Sequence, residues 1–175
     1  MTHEILNYTR FLIRMRKKYR TLHQKDELKV MDTRSCGYPD ISYHGKEAWR
    51  PDLSYISRIT GAMLCGQYAG DEPFFYIACN MHWLPHQLAL PKLPSGQAWI
   101  KISDTAQNYE DRKDEVDAGF AIEDEKVENL IQEDTAVDIL ARSISVYRSV
   151  PVKAKKKRRK STDRKSKSIS RGSDQ

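Results

Sequence analysis

Between Thr2 and Leu22 the apolar residues fall at Ile5, Tyr8, Phe11, Leu12, Met15, Tyr19 and Leu22. Steps of three and four place them on one face of a helix. Arg14, Arg16, Lys17 and Lys18 crowd its last turns, where positive charge complements the helix dipole. A lone helix cannot bury such a face, so the pattern predicts docking on a sheet, on another chain or on a further domain. From Gln24 to Asp40 the chain is polar and broken by Gly37 and Pro39, which predicts a loop with at most a short extended piece over Leu28 to Met31.

From Ile41 the period shortens to two. Strands are predicted at Ile41–Gly45, Ser57–Tyr68, Phe74–Asn80, His86–Leu90 and Gln97–Thr105, with two more between Thr135 and Arg148 that break near Ala141. The central stretch, Phe74 to Pro91, reads as two strands around a corner at Trp83-Leu84-Pro85. Its alternation puts Phe75, Ile77 and Cys79 on one face, where Leu88 and Leu90 would meet them across the pair. Pro91 ends the second run. The segment from Ala106 to Asp134 is acidic and has no clear period; it reads as a long excursion with a helical turn and a short edge strand near Val127 to Ile131. Short strands at near-regular spacing, with turn signals between them, argue for an all-β, antiparallel β-sandwich preceded by one amphipathic α-helix.

Composition changes this picture at one end. The formal net charge of +6 averages two unlike regions. From Lys153 to Gln175 there are 11 Lys or Arg against 2 Asp, so this tail carries +9 and the remainder is mildly acidic. With almost no apolar content, residues 150–175 are expected to form a disordered basic tail. Cysteines at 36, 65 and 79 are odd in number and show no CxxC spacing, which favours a reducing compartment. No secretory signal pattern is visible, and no apolar run approaches the ~20 residues of a membrane span. A cytoplasmic protein without membrane contact is expected.

Candidate chemistry is sparse. Glu110-Asp111, Asp114 to Asp117 and Glu123-Asp124-Glu125 are charge runs on a solvated loop, not opposed carboxylates of a hydrolase. No Gly-x-Ser-x-Gly, Walker or His-Glu-x-x-His motif occurs. Cys79, His82 and His86 are zinc-ligating types, but strand geometry separates Cys79 from the others and no fourth ligand pairs with them, so no metal or other cofactor is expected. Trp49, on a loop, and Trp83, at the corner, are candidates for stacking on the apolar face of a sugar ring. Trp99, in mid-strand, reads as core or edge packing. The tail from Lys153 to Lys160 would contact polyanions without sequence preference.

Several linked short runs resemble one family. Asp40-Ile41-Ser42-Tyr43-His44-Gly45, Pro51-Asp52-Leu53-Ser54-Tyr55 with Ser57-Arg58, Asn80-Met81-His82-Trp83-Leu84-Pro85 with Leu88-Ala89-Leu90-Pro91, Trp99, Asp104-Thr105 and Ala141-Arg142-Ser143-Ile144 are similar, in order and spacing, to the C-terminal end of isoamylase-type glycogen debranching enzymes. These belong to the α-amylase clan, glycoside hydrolase family 13. Phe11 to Lys18 resembles the last helix of that family's (β/α)₈ barrel. Two features depart from the family: Leu84 stands where an acidic residue commonly follows the Trp, and the tail after Ser149 has no counterpart.

The resemblance implies an α-amylase-type C-terminal domain packed against a catalytic barrel that hydrolyses α-1,6 branch linkages in glycogen or related α-glucans. The barrel carboxylates have no match in this sequence, so no catalytic residue is assigned. The expected organisation is 1–23, a helix resembling the last barrel helix; 24–149, the sandwich; and 150–175, the tail. The expected partner is the barrel of the parent enzyme or of a separate chain. From another class, the residues also allow a stand-alone α-glucan-binding or interaction module using Trp49 or Trp83, or a polyanion-associating protein acting through its tail.

Overall fold

The computed structural model describes residues 2–106, 131 and 136–152. The helical turn and edge strand expected before Ile131, and the basic tail from Lys153, lie outside the described residues.

The helical period is realised as α1 (Thr2–Lys18), followed by a 3-10 turn at Arg20–Leu22. Among the described residues seven strands follow: β1 (Ile41–His44), β2 (Ile59–Leu64), β3 (Phe75–Asn80), β4 (His86–Ala89), β5 (Gln97–Asp104), β6 (Ala136–Ile139) and β7 (Ser143–Pro151). Five form an antiparallel sheet in the order β1-β2-β3-β7-β5, and β4 and β6 form a second, two-stranded sheet. The result is the expected antiparallel β architecture with one leading helix.

The large sheet is covered on both faces. On one, Phe11 and Met15 of α1 and Tyr19 just after it pack with Phe75, Ile100, Ile102, Val146 and Val150, and Tyr8 and Leu12 support them from the margin. The helix thus docks on the sheet, the first of the alternatives its pattern allowed. Tyr19 meets Phe75 edge to face at 5.0 Å, and the buried Arg148 Nη1 donates to Tyr19 Oη at 2.6 Å. On the other face, Met63, Tyr76, Ala78, Trp99 and Tyr147 pack against Leu88, Leu90 and Ile139 of the small-sheet layer. Trp99 lies in the core, one of the two placements its mid-strand position allowed, and its indole N–H is satisfied by the Pro91 carbonyl at 2.8 Å.

Three expectations change. The strands flanking the corner are not partners: β3 pairs with β2 and β7, whereas β4 crosses to the second sheet and pairs with β6. Leu88 and Leu90 therefore meet Tyr76 and Ala78, while Phe75 and Ile77 face α1. The cause is that β3 is central and buried on both faces, so its apolar run carries no in/out alternation from which to choose a side. Third, the strand expected to reach Tyr68 ends at Leu64. Gly66 opens a second 3-10 turn there, with its Cα so close to the Glu72 carbonyl that a β-carbon would collide with it.

One glycine connects the two sheets. The Tyr76 ring lies across Gly61 of the neighbouring strand, where any β-carbon would overlap its hydroxyl end, and its Oη donates to the Ala89 carbonyl at 3.1 Å. A larger residue at 61 would block that reach.

Candidate functional site

The strand register gathers several loops at one end of the large sheet. His44 stands opposite Gly61, Ile59 opposite Asn80, and Asn80 opposite Ser143. The turn after β1, the bend before β2, the corner after β3 and the Ala141-Arg142 turn before β7 therefore share this end. It carries Trp49 and Trp83, and with them exposed Leu53, Tyr55 and Ile56, of which Tyr55 is 99% exposed.

Trp83 is held by a corner built on Asn80. The buried Asn80 Nδ2 donates to the carbonyls of Leu84, Ile139 and Leu140 at 2.9 to 3.1 Å, and its Oδ1 accepts the His82 N–H at 2.9 Å. His82 Nδ1 accepts the Leu84 N–H, and its carbonyl accepts the Arg142 N–H. On this base the Trp83 ring stacks against His82 at 4.3 Å, with the Arg58 guanidinium 5.9 Å from its centroid. The indole remains 61% exposed. Partial desolvation, followed by the charges of His86 and Arg58, lowers the His82 pKa, so the ring beneath Trp83 favours its neutral form.

Trp49 is positioned by a buried histidine. His44 Nδ1 accepts the Trp49 N–H at 2.9 Å, which leaves the proton on Nε2 to donate to Ser42 Oγ at 2.9 Å. Burial lowers the His44 pKa to about 4, and only the neutral ring can serve as that acceptor. The contact holds Trp49 at φ +65°, in the left-handed region, with its ring edge-on to His44 at 4.9 Å. Trp49 is 45% exposed. The Ala89 N–H donates to the Gly45 carbonyl at 3.3 Å and ties this turn to the small sheet.

These two tryptophans are the candidate residues that the structure brings to one end, each on a separately braced loop. Of the other residues considered, His82 and His86 meet edge to face at 4.7 Å. Cys79 remains on β3 between Thr60 and Ile144. No cluster of three metal-ligating side chains occurs among the described residues. Buried carboxylates are engaged locally: Asp40 accepts the Lys29 and Ile41 N–H groups, and Asp104 binds Lys101 Nζ and the Ala106 N–H. No described helix is long and apolar enough to cross a membrane. Sequence reasoning missed the supporting residues His44 and Asn80. A buried polar residue at a strand end, next to a turn rich in unpaired backbone groups, is the signal that could have found them.

Comparison with known proteins gives one finding. The family model described as "Isoamylase 1-3, C-terminal" matches residues 42–141, more than half of the chain and a span running from β1 through β6. No curated protein matches the chain significantly. The matched span contains both tryptophan loops and the histidine and asparagine that brace them, and on this ground the chain belongs to the isoamylase C-terminal domain family.

Proposed function

We propose that this chain serves as the accessory β-domain of a debranching enzyme that hydrolyses α-1,6 linkages in glycogen or a related α-glucan, and that the bond-breaking carboxylates reside elsewhere. The family match across β1 to β6 carries this reading. Helix α1 supports it from the other side. Its inner face is occupied by the sheet, yet Leu6 and Ile13, one heptad apart on the opposite face, are both exposed at 45% and 49%. A second apolar stripe fits a helix that touches two bodies, here the β-domain and a catalytic barrel. In this reading residues 1–23 bridge the two, 24–149 form the accessory domain and 150–175 are an appended basic tail. The purified chain is expected to release no reducing ends from pullulan or glycogen; measurable release by the isolated chain would overturn the assignment.

A second reading rests on Trp83 and Trp49. Two braced, solvent-facing indoles at one end of a sandwich favour direct contact with α-glucan. In glycogen-containing native gels the chain should migrate more slowly than in plain gels, and Trp83→Ala should abolish most of that retardation. Equal mobility of the unmodified chain in both gels would remove glucan contact while leaving the accessory-domain reading intact.

A further inference from the structure

Away from the tryptophan loops, at the other end of β2, two of the chain's three cysteines come together. Cys65 follows β2 directly and is fully buried in the core between the sheets. Cys36, half-buried in the segment between α1 and β1, packs against that same core, and its thiol acts electrostatically on Cys65. Both are free thiols. Independent contacts hold the two neighbourhoods together. The Cys65 N–H donates to the Asp40 carbonyl at 3.0 Å, Arg34 Nη1 donates to the Gln67 carbonyl at 2.9 Å, and Tyr68 Oη donates to Asp32 Oδ1 at 3.0 Å. Asp32 in turn accepts the Cys36 and Gly37 N–H groups. Cys79, by the alternation of β3, points with Phe75 and Ile77 toward α1.

We propose that Cys36 and Cys65 form a reversible disulfide site whose co-reactant is a small-molecule disulfide of the glutathione type, and that oxidation staples the segment between α1 and β1 to the end of β2. The chemistry proceeds in two exchanges. The Cys36 sulfur loses its proton to solvent and attacks one sulfur of the oxidant; the oxidant's S–S bond breaks and one small thiolate leaves and is protonated. The Cys65 sulfur then attacks the Cys36 sulfur in the mixed disulfide, expelling the second small thiolate, which takes up the proton that Cys65 gives to water. Two protein thiols have lost two hydrogens, and one small disulfide has become two small thiols. Burial raises the Cys65 thiol to about 12, which makes the second exchange slow and keeps Cys65 from reacting before Cys36.

The test treats the full chain at mild alkaline pH with excess oxidised glutathione, then unfolds it in denaturant so that buried thiols are reached, traps the remaining thiols with N-ethylmaleimide and weighs the intact protein. The expected product has lost two hydrogens and takes up one maleimide, against three for the reduced chain. Cys79→Ser should still lose two hydrogens and then take up no maleimide; Cys36→Ser should form no internal crosslink. Closing a loop of about 30 residues should raise the melting temperature of the oxidised wild type by roughly 5 °C or more, a rise absent in Cys36→Ser. Retention of three reactive thiols, mixed disulfides or dimers alone, or a crosslink that survives in Cys36→Ser would each refute the proposal.

Discussion

Replacing Phe11 by alanine tests whether α1 is an integral layer of this domain. Phe11 is 7% exposed, stacks on Tyr8 at 5.9 Å and packs in the cluster with Phe75, Ile100 and Val150. A buried phenylalanine removes roughly 150 Å² or more from water, worth about 4 kcal/mol at ~25 cal/mol per Å². Loss of the Tyr8 stack adds about 0.5 kcal/mol. Alanine's better helix propensity returns a similar amount, and Tyr8 can relax partly into the gap. The net expected destabilisation is about 3 to 4 kcal/mol, a large share of the ~5–15 kcal/mol typical of a whole domain. Ile13→Ala is the matched control on the exposed face of the same helix, where the change should stay within about 0.5 kcal/mol. Urea unfolding followed by tryptophan fluorescence measures both, and Phe11→Ala should lower the midpoint by more than ~1 M. If the two variants were equally stable, the helix would not be part of the folding unit and its packing as described would be wrong.

The other predictions concern the braced loops and the glycine under Tyr76. With the His44 pKa lowered from 6.5 to about 4, the unfolded chain takes up the proton first; stability is complete above pH ~6.5 and falls between 6.5 and 4. Equilibrium unfolding at pH 7 and pH 5 should show a loss of about 1 to 2 kcal/mol that is largely absent in His44→Gln, and an identical pH response in that variant would exclude His44 as its source. Gly61→Ala drives a methyl group into the Tyr76 hydroxyl and ring edge, and a drop of about 2 to 3 kcal/mol in unfolding free energy is expected. An unchanged melting temperature for Gly61→Ala would contradict the crossing of Tyr76 over β2. Trp83→Ala, which loses only a stack and a cation contact on an exposed ring, should melt within about 2 °C of wild type, so that any loss of glycogen retardation reports on binding and not on folding.

Much of this fold is legible in the residues one element at a time. The three-and-four spacing of Tyr8, Phe11, Met15 and Tyr19 selects the helical face that is buried, and the breaks at Gly45, Pro91 and Ala141 fall next to real strand ends. Pairing is harder to read. Phe74 to Ala78 is apolar at nearly every position because β3 lies between α1 and the β4–β6 layer, and a run without alternation cannot say which of its neighbours takes which face. The tryptophans are legible as candidates because an indole on a loop or corner can offer its apolar face to a sugar ring. Their supports were not, since His44 and Asn80 act on backbone groups that only the folded chain brings into range. Cys36 and Cys65 are 29 positions apart with no spacing signature, so only the loop that folds Asp32 onto Tyr68 reveals them as neighbours.

β7 lies between β3 and β5, sends Val146 and Val150 toward α1, and sends Tyr147 toward the opposite layer. During synthesis on the ribosome the earlier strands emerge without the one that joins them, and β5 has no hydrogen-bonding neighbour in the large sheet until Ser143 to Pro151 have left the exit tunnel. A nascent chain released before that point would leave bare the edge of β5 that β7 covers, a template for pairing with other chains. For this topology, completing translation promptly is itself a safeguard against aggregation.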